Sequence, residues 1–235
     1  MQLFYNPDIT ESTSQFLLPK EESKHIIKVL RKSTGDSLQI TNGKGWIFTA
    51  TITIPDIKNC LVTVTERLQQ PKRHYAVHLV VAPTKMNDRY EWFLEKVTEI
   101  GVDSITPIIC DHSERKIIKP ERFEKILQSA MKQSLNCYLP KLNKMVSFKE
   151  FMAQNFEGDL FIAHCEETDR KSLKQKLRLQ KDTTILIGPE GDFSVKEIEI
   201  ALSNKFIPVT LGKTRLRTET AAIVACHSVA FVNEI

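Results

Sequence analysis

Two glycine-bearing turns, about twenty residues apart, concentrate the residues that could do chemistry in this chain. The first is Gly188-Pro189-Glu190-Gly191-Asp192, which closes the apolar run 183–188 and leads at once into a helix start. Ser194 is a good N-cap, Glu197 three residues on completes a capping box, and Phe193 and Ile198 fit a hydrophobic staple. That helix satisfies its own first amides, whereas a phosphate site would leave them free and would bring a lysine in a glycine-rich loop. Glu190 and Asp192 would also repel a phosphate, and no GxGxxG fingerprint is present. The turn therefore suits a ligand that is neutral or positively charged. The second turn lies in LGKTRLRTETA, residues 211–221, where Lys213, Arg215 and Arg217 precede a helix start at Thr218. Backbone groups of two such bends suit an adenine and a ribose, and the cations suit RNA phosphate or a developing anion.

The elements that must position these turns follow from periodicity. From about residue 74, apolar runs at 76–83, 104–110, 159–165, 183–188 and 206–211 read as buried strands. Helical segments lie near 88–100, 120–136, 169–179, 194–204 and 218–232. Continuous apolar strands alternating with helices predict a parallel sheet covered on both faces, an α/β fold that binds ligands at the carboxyl ends of its strands. Gly101 and Pro120 sit where a helix ends and another begins. Up to about residue 68 the pattern is β. Residues 36–41 and 46–54 alternate around Asn42-Gly43, a hairpin signal, and 60–66 adds a strand. One helix, 22–32, joins this small barrel, and the polar stretch 69–74 reads as a linker. The chain thus divides into domains at 1–68 and 74–235. The last helix is apolar on nearly every side after Glu219, which predicts a covering surface, and a second subunit is the favoured one.

Composition bounds the function classes. With 41% hydrophobic and 26% charged residues, the 235-residue chain can bury a real core. No apolar run is long enough to cross a bilayer, and the start MQLFYNPDIT lacks the pattern of a secretory signal, so no membrane partner and a cytoplasmic location are expected. Five widely spaced cysteines (60, 110, 137, 165 and 226) with no CxxC pair favour reduced thiols over disulfides or a metal site. The net charge of +4 is mild, but it is unevenly placed. Residues 111–149 hold nine Lys or Arg against four Asp or Glu, and 200–218 hold four bases and no acid. The first stretch by itself reads as a solvated face; the second, in a glycine-containing loop, reads as a binding surface.

Gly188-Pro189-Glu190-Gly191, then Leu211-Gly212 and Leu216-Arg217-Thr218-Glu219-Thr220-Ala221, resemble the RsmE family of the SPOUT superfamily. The likeness extends to LEKVTEIGVDSITP (94–107), to Gln133-Ser134 with Leu139-Pro140, and to His25 with Val29-Leu30-Arg31 and Gly35-Asp36. The resemblance implies an S-adenosyl-L-methionine-dependent methyltransferase acting on N3 of one uridine in 16S ribosomal RNA of the small ribosomal subunit. It implies a SPOUT-type parallel sheet with a C-terminal trefoil knot, a PUA-like N-terminal β-barrel, and a homodimer through the C-terminal helix. Carried over, the cofactor lies against Ile187, Gly188, Pro189, Glu190 and Gly191, against Leu211, Gly212, Leu216 and Arg217, and against Thr220 in the last helix. His164, Cys165 and Glu166 form the remaining wall. The cofactor is a sulfonium cation, which an acidic turn tolerates, and Glu190 is expected to brace the loop rather than touch the ligand. The chain departs from the family pattern at Asp192, where a second glycine is usual, at Asn136, where an arginine is frequent, and in having no arginine before Arg31.

Uracil N3 carries a proton at neutral pH, so its attack needs a base or a cation that stabilises the anion. Arg217 is the favoured cation and Arg215 the second choice; the competing reading of Arg217 is an ion pair with Glu219 or Glu190. His164 and His227 are as readily core residues as bases. The RNA is expected to meet Lys28 and Arg31 on the barrel, Lys85 and Arg89 after the first strand of the sheet, and Arg115 and Lys116 after the second. A non-catalytic RNA-binding protein and a nucleotide-dependent enzyme are the competing classes. The intact LGxxxLRxETA run argues against the former and the acidic turn against the latter.

Overall fold

The structure is a computed structural model and describes residues 2–166 and 171–234. Its contacts divide the chain into two units, Met1–Lys72 with Gln128–Leu139, and Arg73–Leu127 with Pro140–Ile235.

The first unit is a curled five-stranded sheet built from β1 (Leu3–Tyr5), β2 (Gln15–Leu17), β3 (Ser37–Thr41), β4 (Trp46–Ile54) and β5 (Leu61–Gln69), in the order β1-β3-β4-β5-β2. The β3–β4 turn forms where Asn-Gly predicts it. Gly43 and Gly45 have φ of 71° and 95°, and Asn42 Oδ1 accepts from the amide of Lys44 at 2.9 Å. Alternation then turns Leu38, Ile40, Phe48, Ala50, Ile52 and Val62 into one apolar core. The expected helix at 22–32 takes a different form. A short α1 (Lys20–Lys24) opens into a π-helical turn over His25–Val29, where the Leu30 amide reaches the His25 carbonyl at 3.0 Å. The wider turn buries Ile26 and leaves Lys28 and Arg31 exposed, and Arg31 ends it in the left-handed region at φ 53°. Residues 128–139 belong to this unit through local pairings such as Leu139 N–H to Gly43 O at 2.9 Å and Tyr138 O–H to Gln70 O at 2.7 Å.

The second unit holds β6 (Val77–Val81), α2 (Asn87–Ile100), β7 (Ser104–Ile109), α3 (Pro120–Gln133, whose end groups with the first unit), β8 (Lys141–Leu142), β9 (Val146–Ser147), α4 (Phe148–Met152), β10 (Asp159–Ala163), β11 (Lys171–Ser172), α5 (Leu173–Lys176), β12 (Thr183–Ile187), α6 (Val195–Ser203), β13 (Ile207–Thr210) and α7 (Thr218–Asn233). The strands pair in parallel in the order β11-β13-β10-β12-β6-β7-β8, with β9 also on β7. β6, β10 and β12 are buried nearly throughout, which is why they read as unbroken apolar runs. Chain order and sheet order diverge at the centre: β12 lies between β6 and β10, so the chain must cross β10 to reach β13.

Pro120 opens α3, and Gly101 caps α2 in the left-handed region at φ 106°. Two helices are shorter than the sequence suggests. Of the segment expected at 169–179, residues 169 and 170 lie outside the described residues, and the helical part is Leu173–Lys176, ended by an extended Leu177. The helix α3 stops at Gln133, and Leu135 turns left-handed at φ 57°. The capping box of α6 is present: the Ser194 side chain accepts from Glu197 N–H, and the Glu197 side chain accepts from Ser194 N–H. The helix α7 is buried along Ala222, Ala225, Cys226, Val229 and Ala230. Its other side stays partly open at Ile223, Val224 and Val232, and Phe231 is 58% exposed.

Candidate active site

A cavity of about 590 Å³ opens at the carboxyl ends of β10, β12 and β13. His164 and Cys165 line it beyond β10; Ile187, Gly188, Pro189, Glu190 and Asp192 line it at the end of β12. Beyond β13 the wall continues through Leu211, Gly212, Lys213, Arg215, Leu216 and Arg217 to Thr218 and Ala221 at the start of α7. The structure thus brings together ten of the twelve residues assigned to the cofactor from sequence. Gly191 and Thr220 are the two that do not line the cavity. Asp192, Lys213 and Ala221 do line it; they fall within the two turns singled out in the sequence but are not among the residues assigned there to the cofactor.

Each loop is pinned by a neighbour. The 188–192 turn closes on itself, with Asp192 N–H donating to Pro189 O at 2.9 Å. Glu190 Oε1 accepts from the Lys85 amide at 2.9 Å, and Asp192 Oδ2 accepts from the Cys165 amide at 2.6 Å. His112 Nδ1 must donate to the carbonyls of Gly191 and Asp192, at 3.0 and 3.1 Å, since a carbonyl only accepts. Glu197, buried at the start of α6, also takes the Asp111 amide at 2.9 Å. On α7, the hydroxyl of Thr218 donates to Gly188 O at 3.1 Å, which ties the last helix to the first turn. Arg217 occupies the N-cap position of α7 and provides no side-chain cap, so the first turn of that helix meets the cavity uncapped.

The three site glycines have different reasons to be glycine. A Cβ on Gly188 would come within 3.0 Å of the Phe193 ring, and one on Gly191 would come within 3.0 Å of His112 Cβ. At those two positions a side chain would be tight against its neighbour. A Cβ on Gly212 would meet nothing within 4 Å, and its φ is not in the left-handed region. Neither φ nor a Cβ contact among the described residues calls for glycine at 212, which lies on the cavity wall.

The cations divide into two groups. Lys213, Arg215 and Arg217 are exposed on the cavity wall, and neither Arg215 nor Arg217 enters an ion pair among the described residues. The acids that could have held Arg217 have other partners: Glu190 takes the Lys85 amide, and Glu219, buried, faces Arg89 at 3.9 Å. Of the six cations assigned to RNA, Lys28, Arg31 and Lys116 are exposed and have no ion-pair partner among the described residues, whereas three are engaged. Arg115 donates to the carbonyls of Thr84 at 2.9 Å and Lys85 at 2.5 Å, Lys85 pairs with Glu114 at 2.9 Å, and Arg89 faces Glu219. His164 is buried on the cavity wall; His227 is exposed on α7 with its ring 6.0 Å from that of Phe231. Among the described residues no group of three or more His, Cys, Asp or Glu is placed to hold a metal ion, and no helix is long and apolar enough to cross a membrane.

Comparison with known proteins agrees with this geometry. The model of the RNA methyltransferase domain matches residues 71–230, and that of the RNA methyltransferase PUA domain matches residues 18–65. The chain is 33% identical over 224 residues to "Ribosomal RNA small subunit methyltransferase E" of Buchnera aphidicola subsp. Acyrthosiphon pisum, covering 90% of this chain and 86% of that protein. Among solved structures, a "probable rRNA-methyltransferase" from Porphyromonas gingivalis matches with a TM-score of 0.91 at 42% identity over 99% of both chains. The ribosomal RNA small subunit methyltransferase E of Neisseria gonorrhoeae, bound to S-adenosyl methionine, matches with a TM-score of 0.86 at 26% identity over 99% of this chain and 98% of that one. An α/β sheet with a glycine-walled cavity at its strand ends, preceded by a PUA-like unit, defines the class, and the chain belongs to the RNA methyltransferase family, with the small subunit methyltransferase E proteins as its relatives.

Proposed function

We propose that this protein transfers a methyl group from S-adenosyl-L-methionine to N3 of a uridine in 16S ribosomal RNA. The observation that carries the reading is Gly212, a glycine that neither backbone conformation nor internal packing demands, on the wall of a cavity of about 590 Å³. That volume is in the usual range for a cofactor site. The apolar wall (Ile187, Val209, Leu211 and Leu216) suits an adenosyl group, and the turns at Gly188 and Gly212 offer backbone donors and acceptors to its base and ribose. Both acids of the first turn already accept backbone amides and so brace the wall, and their charges offset most of that of Lys213, Arg215 and Arg217, which lets the site tolerate a cation. When bound, the cofactor supplies an electrophilic methyl carbon on a sulfonium.

The chain's own residues then have three tasks. The turns fix the donor's orientation, which supplies much of the acceleration in a displacement governed by positioning. Arg217, unpaired on the wall, stabilises the negative charge that grows on uracil as N3 gives up its proton, and Arg215 is the second choice for this role. Lys28 and Arg31 on the first unit, and Lys116 on the second, hold RNA phosphates. Lys85, Arg89 and Arg115 contribute chiefly by holding the loops and α2 in place. We further infer a chain threaded into a trefoil knot at its C-terminal part, domains near 1–68 and 74–235, and action in the cytoplasm on 16S rRNA or the small subunit. A homodimer covers the open side of α7, where Phe231 is exposed. Light scattering at micromolar concentration is expected to give twice the mass of 26.9 kDa; a monomer would refute that part.

Calorimetry with S-adenosyl-L-methionine tests the reading itself. Saturable binding is expected. Absence of heat would make the chain an RNA-binding protein without catalysis, and heat with a nucleoside triphosphate alone would make it a nucleotide-dependent enzyme.

A further inference from the structure

We propose that Asp192 is a positioning residue that sets the width of the cofactor cavity by locking two of its loops together; this rests on the cofactor reading above. Asp192 occupies the left-handed region at φ 64°, where a glycine would sit without strain. An aspartate at such a position needs a compensating interaction, and its carboxylate has two. Oδ1 accepts from the amide of the next residue, Phe193, at 2.8 Å, which holds the turn in shape. Oδ2 reaches across to the Cys165 amide at 2.6 Å.

The second bond spans a gap that the sheet cannot close. Strands β10 and β12 are paired in register to their last residues, Ala163 and Ile187. Beyond that pair both chains leave the sheet, and each supplies a wall of the cavity, His164 and Cys165 from one and Gly188 to Glu190 from the other. The Asp192 carboxylate replaces the missing ladder bond there, and its carbonyl is in turn held by His112 from the loop after β7. With glycine at 192 the turn would keep its backbone shape, but the Cys165 amide would lose its partner and the 164–165 wall would be free to move.

The test uses the whole protein, Asp192→Gly and Asp192→Asn. Both replacements tolerate a left-handed backbone; glycine accepts neither amide, and asparagine offers one acceptor oxygen where aspartate uses two. Binding of S-adenosyl-L-methionine by calorimetry is expected to weaken about tenfold in Asp192→Gly, the scale of one lost charge-assisted hydrogen bond, and less in Asp192→Asn. Turnover at saturating cofactor is expected to fall less than about threefold in both, so KM moves more than kcat. Exchange of the Cys165 amide with solvent is expected to quicken about tenfold while the Leu186 amide inside β12 stays protected. A variant that is merely less folded would lose active protein without a change in KM, and that result overturns the proposal. So does wild-type affinity in Asp192→Gly, or unchanged exchange at Cys165. Failure of the wild type to bind the cofactor would instead overturn the function on which the proposal rests.

Discussion

The carboxylate of Glu190 accepts a hydrogen bond from the backbone amide of Lys85, 105 residues earlier, at 2.9 Å. A negative side chain on the cavity wall is thereby used to fasten the end of β12 to the loop after β6. The bond needs an acceptor oxygen and not a charge. Glu190→Gln is expected to keep stability within about 0.5 kcal/mol, and Glu190→Ala to lose about 1 kcal/mol, the modest figure that suits an exposed site. Denaturant unfolding of the three proteins checks this, with cofactor affinity expected to fall only in the alanine variant.

Gly212 makes the opposite prediction from Gly188. Gly212→Ala adds a methyl group into open space, so thermal unfolding is expected to stay within about 2 °C of the wild type or to rise slightly through a stiffer unfolded chain. Cofactor binding is expected to weaken about tenfold or more by calorimetry. Gly188→Ala drives its Cβ into Phe193 and is expected to cost about 1–3 kcal/mol of stability.

Arg217 and Arg215 are separable by kinetics. Arg217→Ala is expected to lower kcat about 10²- to 10³-fold, the scale of removing one preorganised donor from a developing anion, with cofactor affinity within about threefold of the wild type. Arg215→Ala is expected to lose about tenfold or less. Full methylation by Arg217→Ala would move the role elsewhere.

A half-buried histidine away from the cavity makes stability depend on pH. His78 on β6 is hydrogen-bonded to Thr106 at 2.8 Å, and burial, aided by the positive charge of Lys141, holds its pKa down at about 4. The folded protein therefore binds this proton less readily than the unfolded chain, whose histidine titrates near the ordinary 6.5. The stabilisation is complete above about pH 6.5 and is lost as the pH falls towards about 4, by up to about 3 kcal/mol. Unfolding free energies measured across that window are expected to fall more steeply in the wild type than in His78→Gln.

Much of the second unit was legible because strands buried on both faces leave continuous apolar runs, and the runs ending at Ala163, Ile187 and Thr210 supply the three ends that frame the cavity. The capping box at Ser194 and Glu197 was legible because it is local. The short strands β1, β2, β8, β9 and β11 have too few residues to show a period. The π-helical turn at His25–Val29 was hidden because the apolar spacing of Ile26, Ile27 and Leu30 also fits an ordinary helix. The bracing role of Glu190 was legible, but the partners that hold the site together were not. The partners of Glu190 and Asp192 lie 105 and 27 residues away, and only the fold brings them close. Likewise, a count of charges cannot distinguish Lys116, which is solvated, from Arg115, whose donors are spent on the carbonyls of Thr84 and Lys85.

The central claim is that the cavity between Gly188 and Leu216 presents a methyl group to a uracil ring. The most direct measurement incubates the protein with isotopically labelled S-adenosyl-L-methionine and small ribosomal subunits from cells lacking it, then maps the label on 16S rRNA by mass spectrometry. A single labelled nucleotide, a uridine carrying the methyl group on N3, is the expected result, abolished by Gly212→Val. Label on a ribose hydroxyl or another base, or no transfer by a protein that binds the cofactor, would contradict the account.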